Sequence, residues 1–154
     1  MPEKTTIVLA TTNHGKIREI KKLLSSLPVS IKTLNDLSKM PKIIENGRTF
    51  EANARKKAVF ISKRLGAITL ADDSGLMVNA LNGRPGVRSA RFVSPPINSD
   101  RLCNKLIRVM KNSKKKSRGA KFVCVVAVAF PGKKVKVVKG VCYGSIIHGL
   151  RGSR

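Results

Sequence analysis

Acidic side chains are scarce in this sequence. Eight Asp and Glu stand against 32 Lys and Arg in 154 residues, a formal charge of +24 at pH 7. A field of that sign attracts polyanions, whether nucleic acid, an anionic membrane surface or nucleotide phosphates. Trp is absent, Tyr occurs once and aromatics make up 4% of the chain, which argues against a surface built from base-stacking platforms. No apolar run approaches the roughly 20 residues that span a bilayer. The apolar stretch after Met1-Pro2-Glu3-Lys4 is too short for a secretory signal, so a cytoplasmic protein with no membrane partner is expected. Cys103, Cys124 and Cys142 are odd in number and lack CxxC or Cys/His ligand spacing, which points to reduced structural thiols.

What remains fits one domain covering residues 1–154, with 42% hydrophobic residues and enough length for a substantial core. Thr5-Thr6-Ile7-Val8-Leu9-Ala10 reads as a short buried strand. Ile17, Ile20, Leu24 and Leu27 then recur at helical spacing until Pro28. A second helix is predicted from about Thr49 to Leu65, with Phe50, Ala54, Ala58, Ile61 and Leu65 as its apolar stripe and Gly66 as its stop. Glu51 and Arg55 stand four apart on it, the spacing of a surface pair. Ser99 or Asp100 caps a third helix carrying Leu102, Leu106 and Met110. Lys121 to Phe130 and Val135 to Tyr143 are β-rich runs joined by Pro131-Gly132-Lys133-Lys134, the composition of a hairpin turn. Helical crossovers followed by a hairpin imply an α/β fold, a mixed central sheet flanked by helices.

Three segments carry chemistry. Thr11-Thr12-Asn13-His14-Gly15-Lys16 lies between the first strand and helix, with Asn13 as a plausible N-cap. It offers free backbone N–H groups and a lysine to a phosphate, and is equally compatible with an ordinary capped helix entrance. The GxxxxGK[ST] spacing of a P-loop is absent. Ala71-Asp72-Asp73-Ser74-Gly75-Leu76 follows the apolar run Ala67-Ile68-Thr69-Leu70 and pairs two of the scarce carboxylates at the expected strand end. Such a pair suits Mg²⁺, a hard cation that takes carboxylates plus substrate phosphates, although Asp, Ser and Gly also form turns. Asp72 and Asp73 face opposite sides if the strand runs through them. The loop Gly83 to Phe92 brings three arginines that hold anions or face water, and Lys111 to Arg118 is a dense basic run with the composition of a solvated loop.

Four segments occur in one order. They are Leu9-Ala10-Thr11-Thr12-Asn13-His14-Gly15-Lys16; Gly47-Arg48-Thr49-Phe50 with Asn53-Ala54 and Lys57-Ala58; Ala71 to Leu76; and Pro85-Gly86-Val87-Arg88-Ser89-Ala90-Arg91-Phe92. Together they resemble the non-canonical purine nucleoside triphosphate pyrophosphatase family, which converts ITP, dITP and XTP to the monophosphate and pyrophosphate. The resemblance implies an inosine triphosphate pyrophosphatase-like fold, a nucleotide substrate, Mg²⁺ as cofactor and a homodimer. It implies that Thr11, Thr12, Asn13, His14, Gly15 and Lys16 hold the triphosphate, and that Lys57 adds positive charge near it. Ser74 would contact substrate, Glu45 and Asp73 would bind Mg²⁺, and Asp73 would also be the catalytic residue that orients or deprotonates water. Asp72 is left a hydrogen-bonding role.

Two departures accompany the match. Ala52 stands where the family has a Glu before the Asn of its second motif. Family members also continue beyond a segment like Gly144 to Gly152 into a GFGYDP-type motif, a lysine and a Ser-His-Arg triplet that read the purine base. The chain ends at Arg154 before that point. The expectation is therefore a C-terminally truncated member that keeps the triphosphate and metal half of its site and leaves some core surface uncovered. The alternatives are an inactive truncated member and a nonspecific polyanion or nucleic-acid binder.

Overall fold

The computed structural model describes residues 4–37 and 43–151. In chain order the elements are β1 (Thr5–Leu9), α1 (His14–Leu23), β2 (Val29–Thr33), α2 (Phe50–Leu65), β3 (Ile68–Val78), α3 (Ser99–Lys111), β4 (Gly119–Ala129) and β5 (Lys136–Ser145). Hydrogen-bonded neighbours give the strand order β2-β1-β3-β4-β5. Both neighbours of β1 run parallel to it, Ile7 lying opposite Ile31 and Ile68. Parallel pairing needs a crossover, and α1 and α2 supply the two. The connection from Ala129 to Lys136 is too short for that, so β4 and β5 pair as a hairpin and the sheet is mixed.

By contact density the chain forms two compact units, Met1–Asp73 with Val125–Lys139, and Ser74–Cys124 with Gly140–Arg154. In the first, β1 buries Val8 and Leu9, with Ala10 following, because a parallel strand is covered on both faces. Phe50, Ala54, Ala58 and Ile61 of α2 are buried, as their spacing requires, and Gly66 ends the helix in the left-handed conformation at φ 61°. Thr49 caps it by accepting the Ala52 N–H at 3.0 Å. In the second unit, Val78, Ala80, Leu81 and Ala120 form a core with Leu106 and Met110 of α3. Asn98 caps α3 in place of the expected Ser99 or Asp100, which fall in the first turn.

Three expectations shift. First, α1 stops at Leu23: the Leu24 N–H still reaches Ile20 O, but Leu27 precedes Pro28, which disfavours the helical region, and its side chain is exposed. Second, Val29–Thr33 forms β2, a strand with no counterpart among the expected elements. Third, β3 runs through Ala71 to Leu76 to Val78, so the two aspartates sit mid-strand. Burial and pairing of Leu70 and its neighbours override the turn preference of Asp-Ser-Gly. At the sheet edge β5 leaves Val138 and Tyr143 exposed. The three cysteines are free thiols.

Candidate active site

Beyond the carboxyl end of β1 the chain closes a small network of its own. Thr11 Oγ1 accepts the Asn13 N–H at 3.2 Å, and Asn13 Oδ1 accepts the Lys16 N–H at the same distance. The N-cap is the predicted one, and it opens α1 with His14 and Gly15. Thr12, Asn13 and His14 are exposed, whereas Thr11, Gly15 and Lys16 are half-buried. The Lys16 ammonium turns back onto β3, where Nζ donates to Asp72 Oδ2. Asp72 is 4% exposed, and its second oxygen, Oδ1, is buried with no hydrogen-bond partner.

Its neighbour points the other way, as strand alternation demands. Asp73 Oδ2 accepts the Asn53 amide N–H from α2 at 2.8 Å. Asn53 Oδ1 in turn accepts the Gly47 N–H at 2.7 Å, so this single 1%-exposed amide ties the approach loop of α2 to the strand. Gly47 is needed for that approach: a Cβ there would lie 2.5 Å from Asn53 Oδ1. One helical turn after Asn53, Lys57 Nζ donates to Glu45 Oε1 at 2.5 Å. Burial pushes the Asp73 carboxyl above its ordinary value. The Asn53 hydrogen bond and the Lys57 and Lys16 charges oppose that rise, and the Glu45 charge adds to it.

Within the first unit the structure thus assembles Lys16, Glu45, Asn53, Lys57, Asp72 and Asp73 from four separate segments. Ser74 follows Asp73 in β3 but belongs to the second unit, where it is half-buried. There Gly75 packs beneath the Pro85 to Phe92 segment. Ser89 Oγ accepts the Leu76 N–H at 3.0 Å and donates to Gly86 O at 2.6 Å, and a Cβ on Gly75 would stand 2.4 Å from Ser89 Oγ. Ala52 is exposed on the first turn of α2, and its N–H serves the Thr49 cap. The Glu51 and Arg55 side chains form the expected surface pair at 2.7 Å.

Asn53 is the residue that sequence reasoning passed over as a candidate. Its signal was a polar side chain inside the apolar stripe of α2, between Phe50 and Ala54. Asp72 was assigned a hydrogen-bonding role, and it holds the loop lysine. Among the described residues no three His, Cys, Asp or Glu side chains cluster as a metal cage. The two carboxylates Glu45 and Asp73 still fit a hard divalent cation. They offer oxygens only, they repel each other, and Mg²⁺ characteristically takes one or two carboxylates and completes its shell with water and phosphate.

A β-α-β unit whose first helix opens on a capped N-terminus, with Lys16 paired to Asp72 and Lys57 paired to Glu45, has the make-up of an α/β protein for phosphorylated ligands. The Ham1 family profile matches residues 7–154, and the chain belongs to that family. It is 43% identical over 148 residues to a dITP/XTP pyrophosphatase of Bacillus anthracis, a match covering 95% of this chain and 73% of that protein. A dITP/XTP pyrophosphatase of Desulfotalea psychrophila is 41% identical, with 95% and 65% covered. Among solved structures, a HAM1 protein from Coxiella burnetii superposes with a TM-score of 0.89 at 34% identity, covering 97% of this chain and 77% of that one. The Mycobacterium abscessus dITP/XTP pyrophosphatase gives 0.78 at 36% identity, covering 94% and 75%.

Proposed function

We propose that this chain is a nucleoside triphosphate pyrophosphatase that hydrolyses purine triphosphates of the dITP and XTP type to the monophosphate and pyrophosphate. The observation that carries this reading is the Asp73 cluster, in which a buried carboxylate of raised basicity sits under the charges of Lys57, Glu45 and Lys16. The dITP/XTP pyrophosphatase relatives set the substrate class.

In this reading the triphosphate docks on Thr11 to Lys16, where backbone N–H groups at the start of α1 and the Lys16 ammonium meet its oxygens. Asp72 keeps Lys16 folded toward the strand instead of loose in solvent. Lys57 supplies the second positive charge. Asp73 orients a water molecule and accepts its proton as the water oxygen bonds to phosphorus. The bridge between the α- and β-phosphates breaks, and its electrons leave on pyrophosphate. Burial raises the proton affinity of Asp73, which suits a general base, while Asn53 fixes its carboxyl plane. Mg²⁺, held by Glu45 and Asp73, would neutralise charge on the phosphates and the leaving group.

The reading also places the enzyme in the cytoplasm as a homodimer. Among the described residues no helix is long and apolar enough to cross a membrane. The test is product analysis with purified protein, Mg²⁺ and dITP or XTP. Monophosphate and pyrophosphate in equal amounts support the reading. Release of orthophosphate, or no turnover, contradicts it.

A further inference from the structure

The reaction uses Lys16 and Lys57, and it leaves most of the +24 charge without a task. Of that excess, +13 lies in the second unit, where the cations are almost unopposed by acids. Residues 74–124 hold twelve Lys and Arg and residues 140–154 hold two, fourteen in all, against one acid, Asp100. Helix α3 sorts this charge. Leu106 and Met110 are buried in the unit's core, with Val109 packed against it. Arg101, Lys105, Arg108 and Lys111 recur at helical spacing on another face, a stripe about 15 Å long at ~1.5 Å per residue. Arg101, Asn104, Lys105 and Arg108 line an open groove of about 390 Å³ with Val93 and Ser94.

The groove is braced. Arg101 Nη1 donates to Pro96 O, and Lys105 Nζ donates to Phe92 O at 2.5 Å while lying 5.0 Å from the Phe92 ring centre. The stripe runs on into the exposed Lys114, Lys115 and Lys116 beyond the C-terminus of α3.

We propose that this α3 face is a docking surface for double-stranded nucleic acid, held through its phosphates without reading sequence. Charge complementarity selects a polyanion, and two further observations narrow the class. A membrane-surface helix needs an apolar face free to enter the lipid, and that of α3 is committed to the protein core. Single-strand binding relies on aromatic platforms, and Phe92 is the aromatic beside this groove, half-buried beneath Lys105. A duplex requires neither, because each phosphate contact rests on a cation and displaces a condensed counterion.

The experiment measures the affinity of the intact chain for a 20-base-pair DNA duplex across a salt series. The comparison ligands are the matching single strand and phosphatidylglycerol vesicles. The surface variant is R108Q/K111Q/K114Q/K116Q, and the control R18Q/K21Q/K22Q/K63Q removes the same charge from the first unit. The proposal predicts that the duplex binds more tightly than the other two ligands. It also predicts that the surface variant loses about 3 to 4 from the slope of log K against log salt, at ~0.9 per phosphate contact, while the control keeps the wild-type slope. Equal losses in both variants would mean that net charge alone binds, and would overturn the assignment. So would preference for vesicles or for the single strand. Unchanged thermal unfolding of the surface variant separates lost binding from lost fold.

Discussion

At the scale of single residues the site is organised by one amide. Asn53 accepts from the Gly47 N–H and donates to Asp73, so Asn53→Ala orphans a backbone donor and removes a partner of a buried carboxylate. The expected loss is about 1–3 kcal/mol in urea unfolding, together with a large fall in turnover. A stability change within 0.5 kcal/mol, the size of about a neutral surface substitution, would show that the amide is not needed. Asp36 offers a test away from the site. It accepts from the Thr33 N–H at 2.7 Å and the Thr33 hydroxyl at 2.8 Å, and these bonds hold its carboxyl below the ordinary value of 3.8. A carboxyl depressed by folding contributes stability that is complete above that ordinary value and fades as pH falls through the folded one. Asp36→Asn is therefore predicted to be less stable than wild type at pH 7, with the gap closing in acid. A pH-independent gap would contradict this.

At the scale of elements, strand β3 and the segment after it carry the clearest constraint. A methyl group on Gly75 would collide with Ser89 Oγ and stand 2.6 Å from Gly86 O, so Gly75→Ala must push the Pro85 to Phe92 segment away from the strand. The predicted outcome is loss of the Leu76 to Ser89 bond, read as faster amide exchange at Leu76, and destabilisation of about 1–3 kcal/mol. Unchanged exchange would mean that the segment tolerates displacement. This strand also shows where the sequence was ambiguous. Asp-Asp-Ser-Gly has the composition of a turn, and burial together with the place of β3 between β1 and β4 keeps it extended. Helix α2 was legible because its apolar stripe, Thr49 cap and Gly66 stop agree. Strand β2 was not, since five alternating residues between Pro28 and a turn give little periodicity. The end of α1 was obscured because Leu24 and Leu27 keep the helical spacing past the point where Pro28 ends it.

At the scale of the whole molecule, two charge patterns coexist. Three of the eight acids, Glu45, Asp72 and Asp73, lie in the first unit, with Lys57 on Glu45 and Lys16 on Asp72, while fourteen cations face one acid in the second. The first pattern was readable once four ordered motifs were taken together, because Asp72 and Asp73 had a place in them and Glu45 stands just before the second. Lys16 and Lys57 were readable too, but their partners were not, since Asp72 lies 56 residues from Lys16 and only the parallel sheet brings them together. The catalytic account stands on Asp73, and its most direct test is pyrophosphate release by wild type and Asp73→Asn with dITP and saturating Mg²⁺. The account predicts turnover by wild type and a rate roughly 10²- to 10⁴-fold lower in the variant, the usual contribution of a positioned base. The variant should unfold at no lower temperature without Mg²⁺, since the amide spares it the cost of burying a charge. Equal rates in the two proteins would contradict the account.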